Sequence, residues 1–185
     1  MKRLAPLAVA ILAAFVLVAP LSSQEITYHL VGDPEVYTLV NLHPDGWRLS
    51  SVNYLRAGLI PLCTKVRIES VDSREMVVRV AETDQGYIYE FHRSLRVPIP
   101  QHLDRMFGKS CDKKKIETMS EVDREGILQG KVSPGMSKAA VLLAIGYPPE
   151  HRTPGLEANA WRYWKGRTDT ILVHFEDDKV VRIQE

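Results

Sequence analysis

The stretch Gly135-Met136-Ser137-Lys138-Ala139-Ala140-Val141-Leu142-Leu143-Ala144-Ile145-Gly146-Tyr147-Pro148, followed by Trp161-Arg162-Tyr163-Trp164 and Ile171-Leu172-Val173-His174-Phe175, decides the fold class of the C-terminal third. Ser137 is suited to cap a helix, because its hydroxyl can accept from the free N–H groups of the first turn. Met136 before the cap and Val141 inside the helix can pack as a hydrophobic staple. Val141, Leu142 and Ile145 form the expected buried stripe. Gly146 can leave the helical conformation, and Pro148 and Pro149 prevent continuation. Period two then takes over. Trp161 and Tyr163 face one way and Arg162 and Trp164 the other, and Ile171, Val173 and Phe175 alternate with Leu172 and His174. Asp177-Asp178-Lys179 turns the chain into a last strand, expected to bury Val181 and Ile183. Upstream, Thr118 with Glu121 has the spacing of a capping box opening a helix that ends at Gly130. Two helices and a three-stranded antiparallel meander make an α+β layer, with one sheet face covered by the helices.

Between Glu35 and Phe107 the alternation continues without long helices. Val36, Val40 and Leu42 share a face, and His43-Pro44-Asp45-Gly46 turns the chain. Val66 and Ile68 oppose Lys65, Arg67 and Glu69; Met76, Val78 and Val80 follow, then Tyr87, Tyr89 and Phe91. Short alternating runs with turn residues every ten or so positions predict a small antiparallel barrel or sandwich over residues 25–109. Pro98 and Pro100 fit an edge or an exit from that sheet. Gln101 to Phe107 is expected to make a helical turn with Leu103, Met106 and Phe107 inward. Ser110-Cys111-Asp112-Lys113-Lys114-Lys115 reads as a linker, and residues 116–185 as the second domain. The fold class expected for the whole is thus mainly β with α+β.

The N-terminus bears on compartment. Met1-Lys2-Arg3, an uncharged run from Leu4 to Leu21 and the small polar Ser22-Ser23-Gln24 have the tripartite plan of a signal peptide over residues 1–24. An uncleaved anchor is the alternative. The first cysteine is Cys63, so the cut has none beside it to carry acyl chains, and no lipid anchor is expected. Without Lys2 and Arg3, 22 basic residues face 23 acidic ones. A chain so balanced has no global electrostatic drive toward nucleic acid. Cys63 and Cys111, the two cysteines, are a disulfide candidate in an oxidising compartment, with two buried thiols as the alternative.

Motifs that carry chemistry are missing. There is no Gly-x-Ser-x-Gly, no phosphate-cradling glycine loop and no His-Glu-x-x-His. His92 and His102 flank Arg93 and Arg96 without metal-ligand spacing, and Asp177-Asp178 reads as a hairpin tip. No catalytic residue, metal or cofactor is expected. The contact candidates are Arg162 and Trp164 on the outward face of their strand, and Trp47, Asn53 and Tyr54 in the long connection from Trp47 to Gly58. Trp and Arg are over-represented among residues that dominate binding energy.

Two resemblances follow from quoted residues. Leu59-Ile60-Pro61-Leu62-Cys63-Thr64-Lys65-Val66-Arg67-Ile68 resembles the loop-to-strand stretch of bacterial SH3-like barrels, with Cys63 where glycine is usual. Gly-Met-Ser (135–137), Val-Leu-Leu-Ala-Ile-Gly-Tyr-Pro (141–148), Trp-Arg-Tyr-Trp (161–164) and Val-His-Phe-Glu-Asp-Asp-Lys-Val-Val (173–181) resemble the SmpA/OmlA family over residues 116–185. That family includes BamE, a small component of outer-membrane β-barrel assembly. The resemblance implies a non-enzymatic exported protein of the Gram-negative periplasm, or of the periplasmic face of the outer membrane, acting on envelope proteins. Two alternatives are also implied. The two-helix, three-strand unit is similar to the repeat of β-lactamase-inhibitor proteins, which implies an inhibitor or ligand-binding module. SH3-like barrels imply a binder of peptidoglycan peptides, peripherally associated with the cell wall.

Overall fold

The computed structural model describes residues 26–153 and 155–185. The expected signal peptide lies outside the described residues. Nine strands and four helices form two sheets with separate hydrophobic cores, a mixed α/β architecture.

The first sheet holds β1 (Val36–Thr38), β2 (Arg48–Ser50), β3 (Lys65–Val71), β4 (Glu75–Val80), β5 (Gly86–Glu90) and β6 (Phe107–Gly108), in the order β2-β5-β4-β3-β1-β6. It curls into a half-barrel. Val36, Val66, Ile68, Met76, Val78 and Tyr89 fill its inside. A bulge after Ile68 lets both Ile68 and Val71 point inward although they are three apart. The expected all-antiparallel order fails at one place. Leu49 and its neighbours pair parallel to β5, Arg48 beside Ile88 and Ser50 beside Glu90. β2 thus sits at the far edge of the sheet from β1, and the connection after Trp47 begins as a strand rather than a loop. Helix α1 (Ile99–Met106) closes the barrel, burying Leu103 and Met106. Pro100 does not mark a strand edge: it lies in the first helical turn, where a missing N–H costs nothing.

The second unit holds α2 (Lys113–Glu117), α3 (Glu121–Gln129), α4 (Lys138–Ile145) and the meander β7 (Ala160–Trp164), β8 (Thr170–Glu176), β9 (Lys179–Gln184). The cap of α3 is Ser120, whose hydroxyl accepts from Asp123 N–H at 3.3 Å, and not Thr118, which ends α2. Gly130 closes α3 in the left-handed conformation. Ser137 caps α4 by accepting from Ala140 N–H at 3.2 Å. Ala140 and Ala144 join Val141 and Ile145 in its buried face, while Leu142 is only half-buried. Trp161, Tyr163, Val173 and Phe175 lie under the helices, with Trp161 and Phe175 rings 4.6 Å apart. In β9 the register differs from the alternation. A bulge between His174 and Phe175 pairs Phe175 with Val180, so Val180 is buried and Val181 is exposed.

The run read as a linker is tied down at one end and helical at the other. Cys111 is joined to Cys63 by a disulfide, with Cα atoms 5.3 Å apart, and α2 starts at Lys113. Cys63 has φ of 61°, a backbone setting that glycine usually fills. Among the described residues no helix is long and apolar enough to cross a membrane.

Candidate functional site

The two cores meet along a polar seam. Helices α3 and α4 end there, and their last carbonyls have no partner within their own helices. Asn41, 1% exposed, supplies one from the barrel side. Its Nδ2 donates to Ile127 O at 2.7 Å and Ala144 O at 3.1 Å, while its Oδ1 accepts from Leu62 N–H at 2.8 Å. Asn53 does the same one residue further along α4. Its Nδ2 donates to Ile145 O at 2.8 Å and its Oδ1 accepts from His43 N–H at 3.3 Å. His43 places Nε2 3.2 Å from Ala144 O and Nδ1 3.3 Å from Arg56 O. A neutral ring carries one N–H and so satisfies one of these two carbonyls at a time. Tyr163 completes the seam, its hydroxyl donating to Gly146 O at 3.0 Å.

Asn53 was expected in an exposed contact loop, and that expectation is corrected. It is buried, in a left-handed conformation (φ 48°), with both ends of its amide engaged inside the protein. Asn tolerates that conformation better than other non-glycine residues, which is why it can turn the chain here and still reach α4. Tyr54, next in line, is half-buried, with the Arg56 guanidinium 5.9 Å from its ring. Trp47 is the one loop residue of the three that stands out. It is 53% exposed, and the Arg48 guanidinium lies 4.3 Å from its ring centre while also pairing with Glu90.

Arg162 and Trp164 do lie on the sheet face away from the helices, but neither is free. Arg162 N–H donates to Thr153 Oγ1 and its guanidinium to Thr170 Oγ1, both at 3.1 Å. Trp164 is half-buried and stacks on His151, with ring centres 6.3 Å apart and planes within 18°. Its carbonyl accepts from Leu55 N–H at 2.9 Å, so the structure joins the Tyr54 end of the long connection to the Trp164 strand. Trp47 is not part of that junction.

A groove of about 750 Å³ runs along the seam, lined by Leu55, Leu59, Val132 and Ile183 with Lys131 and Lys165. No group of three or more His, Cys, Asp or Glu among the described residues is placed to hold a metal ion. Tyr89 and His102, facing each other at 2.8 Å, are buried. Burial, and then Arg105, depress the His102 pKa to about 4, while burial raises that of Tyr89. This pair belongs to the packing between α1 and the barrel. No protein family, curated protein or solved structure matches the chain.

Sequence reasoning missed Asn41 and His43. A signal was present: in Leu39-Val40-Asn41-Leu42-His43, uncharged polar residues occupy the positions facing away from the barrel, between apolar neighbours. Such residues on a solvated face need no apolar company, whereas at a buried seam they serve as hydrogen-bonding struts.

Proposed function

We propose that this protein is a non-enzymatic, exported component of the Gram-negative envelope that works by protein–protein contact, as an assembly factor resembling BamE. On this reading an SH3-like module (residues 25–109) and a SmpA/OmlA-like module (116–185) are held as one body in the periplasm or on the periplasmic face of the outer membrane. The observation that carries the contact role is Trp47. Of the exposed large apolar side chains among the described residues, it alone is aromatic, and it is paired with an arginine. A large exposed ring beside Arg48 has the composition of an interaction hot spot. The Cys63–Cys111 disulfide is compatible with export.

The test is capture from a Gram-negative envelope extract with the wild-type chain and with Trp47→Ala. Barrel-assembly components are expected on the wild type and depleted at least about thirtyfold on the variant, the effect of losing a hot-spot residue worth about 2 kcal/mol. Equal recovery on both refutes the role given to Trp47. The seam groove favours a second reading, a ligand-binding module, since its volume lies within the range of small-molecule sites. Recovery of one soluble enzyme, or sedimentation with purified sacculi, would replace the assembly role by inhibition or cell-wall binding.

A further inference from the structure

We propose that His92, Arg93, Arg96, His151 and Arg152 form a binding site for a phosphoryl oxyanion, where the loop after β5 meets the segment after α4. The charge pairing here is incomplete. Elsewhere on the barrel several arginines and lysines meet acids: Arg48 with Glu90, Arg79 with Glu69, Arg67 with Asp84, Lys65 with Glu35. Arg93, Arg96 and Arg152 have no carboxylate partner among the described residues. The acids nearest in sequence pair elsewhere, Glu90 with Arg48 and Glu150 with Arg105 through Oε1 at 2.7 Å, its Oε2 being buried without a partner.

Both segments are anchored rather than loose. His92 N–H donates to Ser51 Oγ at 2.9 Å, and Leu95 N–H closes a turn onto His92 O at 2.9 Å. His92 Nδ1 accepts from Ser94 N–H at 3.2 Å and lies 2.7 Å from Ser94 Oγ, which fixes the ring on its own turn. Across the junction, Arg152 N–H and Thr153 N–H both donate to Pro149 O, at 3.0 and 3.1 Å, and His151 is held against Trp164. Ser94 and Leu95 line the same small cavity as Pro148, Pro149 and Glu150, which places the two segments against each other.

The electrostatics agree with the geometry. Desolvation depresses the His151 pKa first, followed by the charges of Arg152, His92 and Arg96. His92 is depressed by desolvation and then by Arg93. Nδ1 of His151 is buried with no hydrogen-bond partner in the protein. His151, under the charges of Arg152, His92 and Arg96, and His92, under that of Arg93, gain most from an oxyanion of more than one negative charge. A phosphate group, near −2 at neutral pH, meets that need, and its oxygens match the guanidinium fork. In this assignment Trp164 is a positioning residue, fixing the ring of His151. The site does not depend on Trp47 or on any protein partner.

The experiment is a titration of the full chain, followed by NMR of the histidine and arginine side chains, at constant ionic strength in chloride. Inorganic phosphate and glycerol 3-phosphate are the two probes. Saturable shifts at His92 and His151 are expected with at least one of them. The tighter probe shows whether the phosphoryl group is free or carried on an organic molecule. The His92 and His151 titration midpoints should also rise in the presence of the bound probe, because the anion offsets the neighbouring cations. Arg96→Gln and Arg152→Gln should each weaken binding at least about tenfold, as expected for loss of a charge-assisted hydrogen bond. Arg167→Gln, exposed on the Lys165–Asp169 turn, should leave it unchanged. Should either variant fail to fold, Arg93→Gln replaces it. Linear, non-saturating shifts with both probes, or equal losses at Arg167, would overturn the site whatever becomes of the envelope role.

Discussion

Replacing Asn41 by alanine should loosen the joint between the two cores more than any exposed substitution. The side chain makes three hydrogen bonds at 1% exposure. Its two acceptors keep other partners, since Ile127 O also receives Gly130 N–H at 3.2 Å and Ala144 O lies 3.2 Å from His43 Nε2. Each of those lost bonds therefore counts as an ordinary one, about 0.5–1.5 kcal/mol. Leu62 N–H, at a part-buried position, loses the Asn41 acceptor outright, which costs about 1–3 kcal/mol where water does not replace it. The total centres on about 4 kcal/mol, a large share of the about 5–15 kcal/mol that holds an ordinary domain folded. For a chain of this length that is a fall in Tm of roughly 8–16 °C.

The assay is thermal and urea unfolding read by two signals: circular dichroism for both units, and tryptophan fluorescence in a Trp47→Phe background, where Trp161, buried in the second core, and Trp164 report on the second unit. Coincident transitions are expected in the wild type and separated ones in the variant. Asn41→Asp is the sharper companion. It keeps the shape and the acceptor for Leu62 but turns an oxygen toward two carbonyls, so it should be worse than alanine at neutral pH. A melting shift below about 2 °C, under 1 kcal/mol on the same scale, would refute the reasoning, because water would then be replacing the amide without loss.

Reducing the disulfide, or making Cys63→Ala with Cys111→Ala, should cost about 4 kcal/mol in the chain-entropy account of a 48-residue separation. A urea midpoint that ignores reductant would show that residues 110–117 are held by their other contacts. His102 sets an acid limit. Its pKa is about 4 in the folded protein against an ordinary 6.5, so the unfolded chain binds the extra proton first as pH falls. The His102 contribution to stability is therefore flat above pH 6.5 and declines from there to about pH 4, by on the order of 3 kcal/mol. Acid titration of the unfolding free energy should show that slope, and His102→Gln should flatten it. An unchanged slope would assign the acid loss to other groups.

The local signals read best where a segment's neighbours in sequence are also its neighbours in space. Ser137, the staple residues and the stop at Gly146 act within one helix, and α4 lies where they place it. Expectations slipped where a single residue changed the count. One bulge exchanged Val181 for Val180, and another kept Val71 inside β3. The expected cap, Thr118, gives way to Ser120 two residues on, because Thr118 is already spent on ending α2. Cys63 shows a different limit. It keeps the left-handed backbone suited to glycine but carries a side chain, because the bond to Cys111 needs a sulfur there.

The contact candidates show why sites are harder to read than helices. Asn53 and Trp47 stand six positions apart in one connection, and nothing local distinguishes a strut from an exposed ring. What buries Asn53 is the end of α4, through Ile145 O, 92 residues further on. Trp164 is covered by His151 and reached by Leu55, 109 residues earlier. The cationic junction has the same origin: Arg93 and Arg96 in one turn and Arg152 in another each read as solvated surface. Their shared lack of acidic partners becomes visible only when the fold sets the turns side by side. A lone arginine at the surface is satisfied by water, whereas several around two partly desolvated imidazoles raise one another's cost. Each guanidinium removed there should therefore ease the repulsion on the imidazole it acts on, Arg93 on His92 and Arg96 or Arg152 on His151, and raise that pKa in the absence of anion. Measured as histidine titration midpoints in Arg96→Gln, that rise would show the cations acting as a group. Unchanged midpoints would mean that Arg96 points away and the junction holds fewer charges than its sequence supplies.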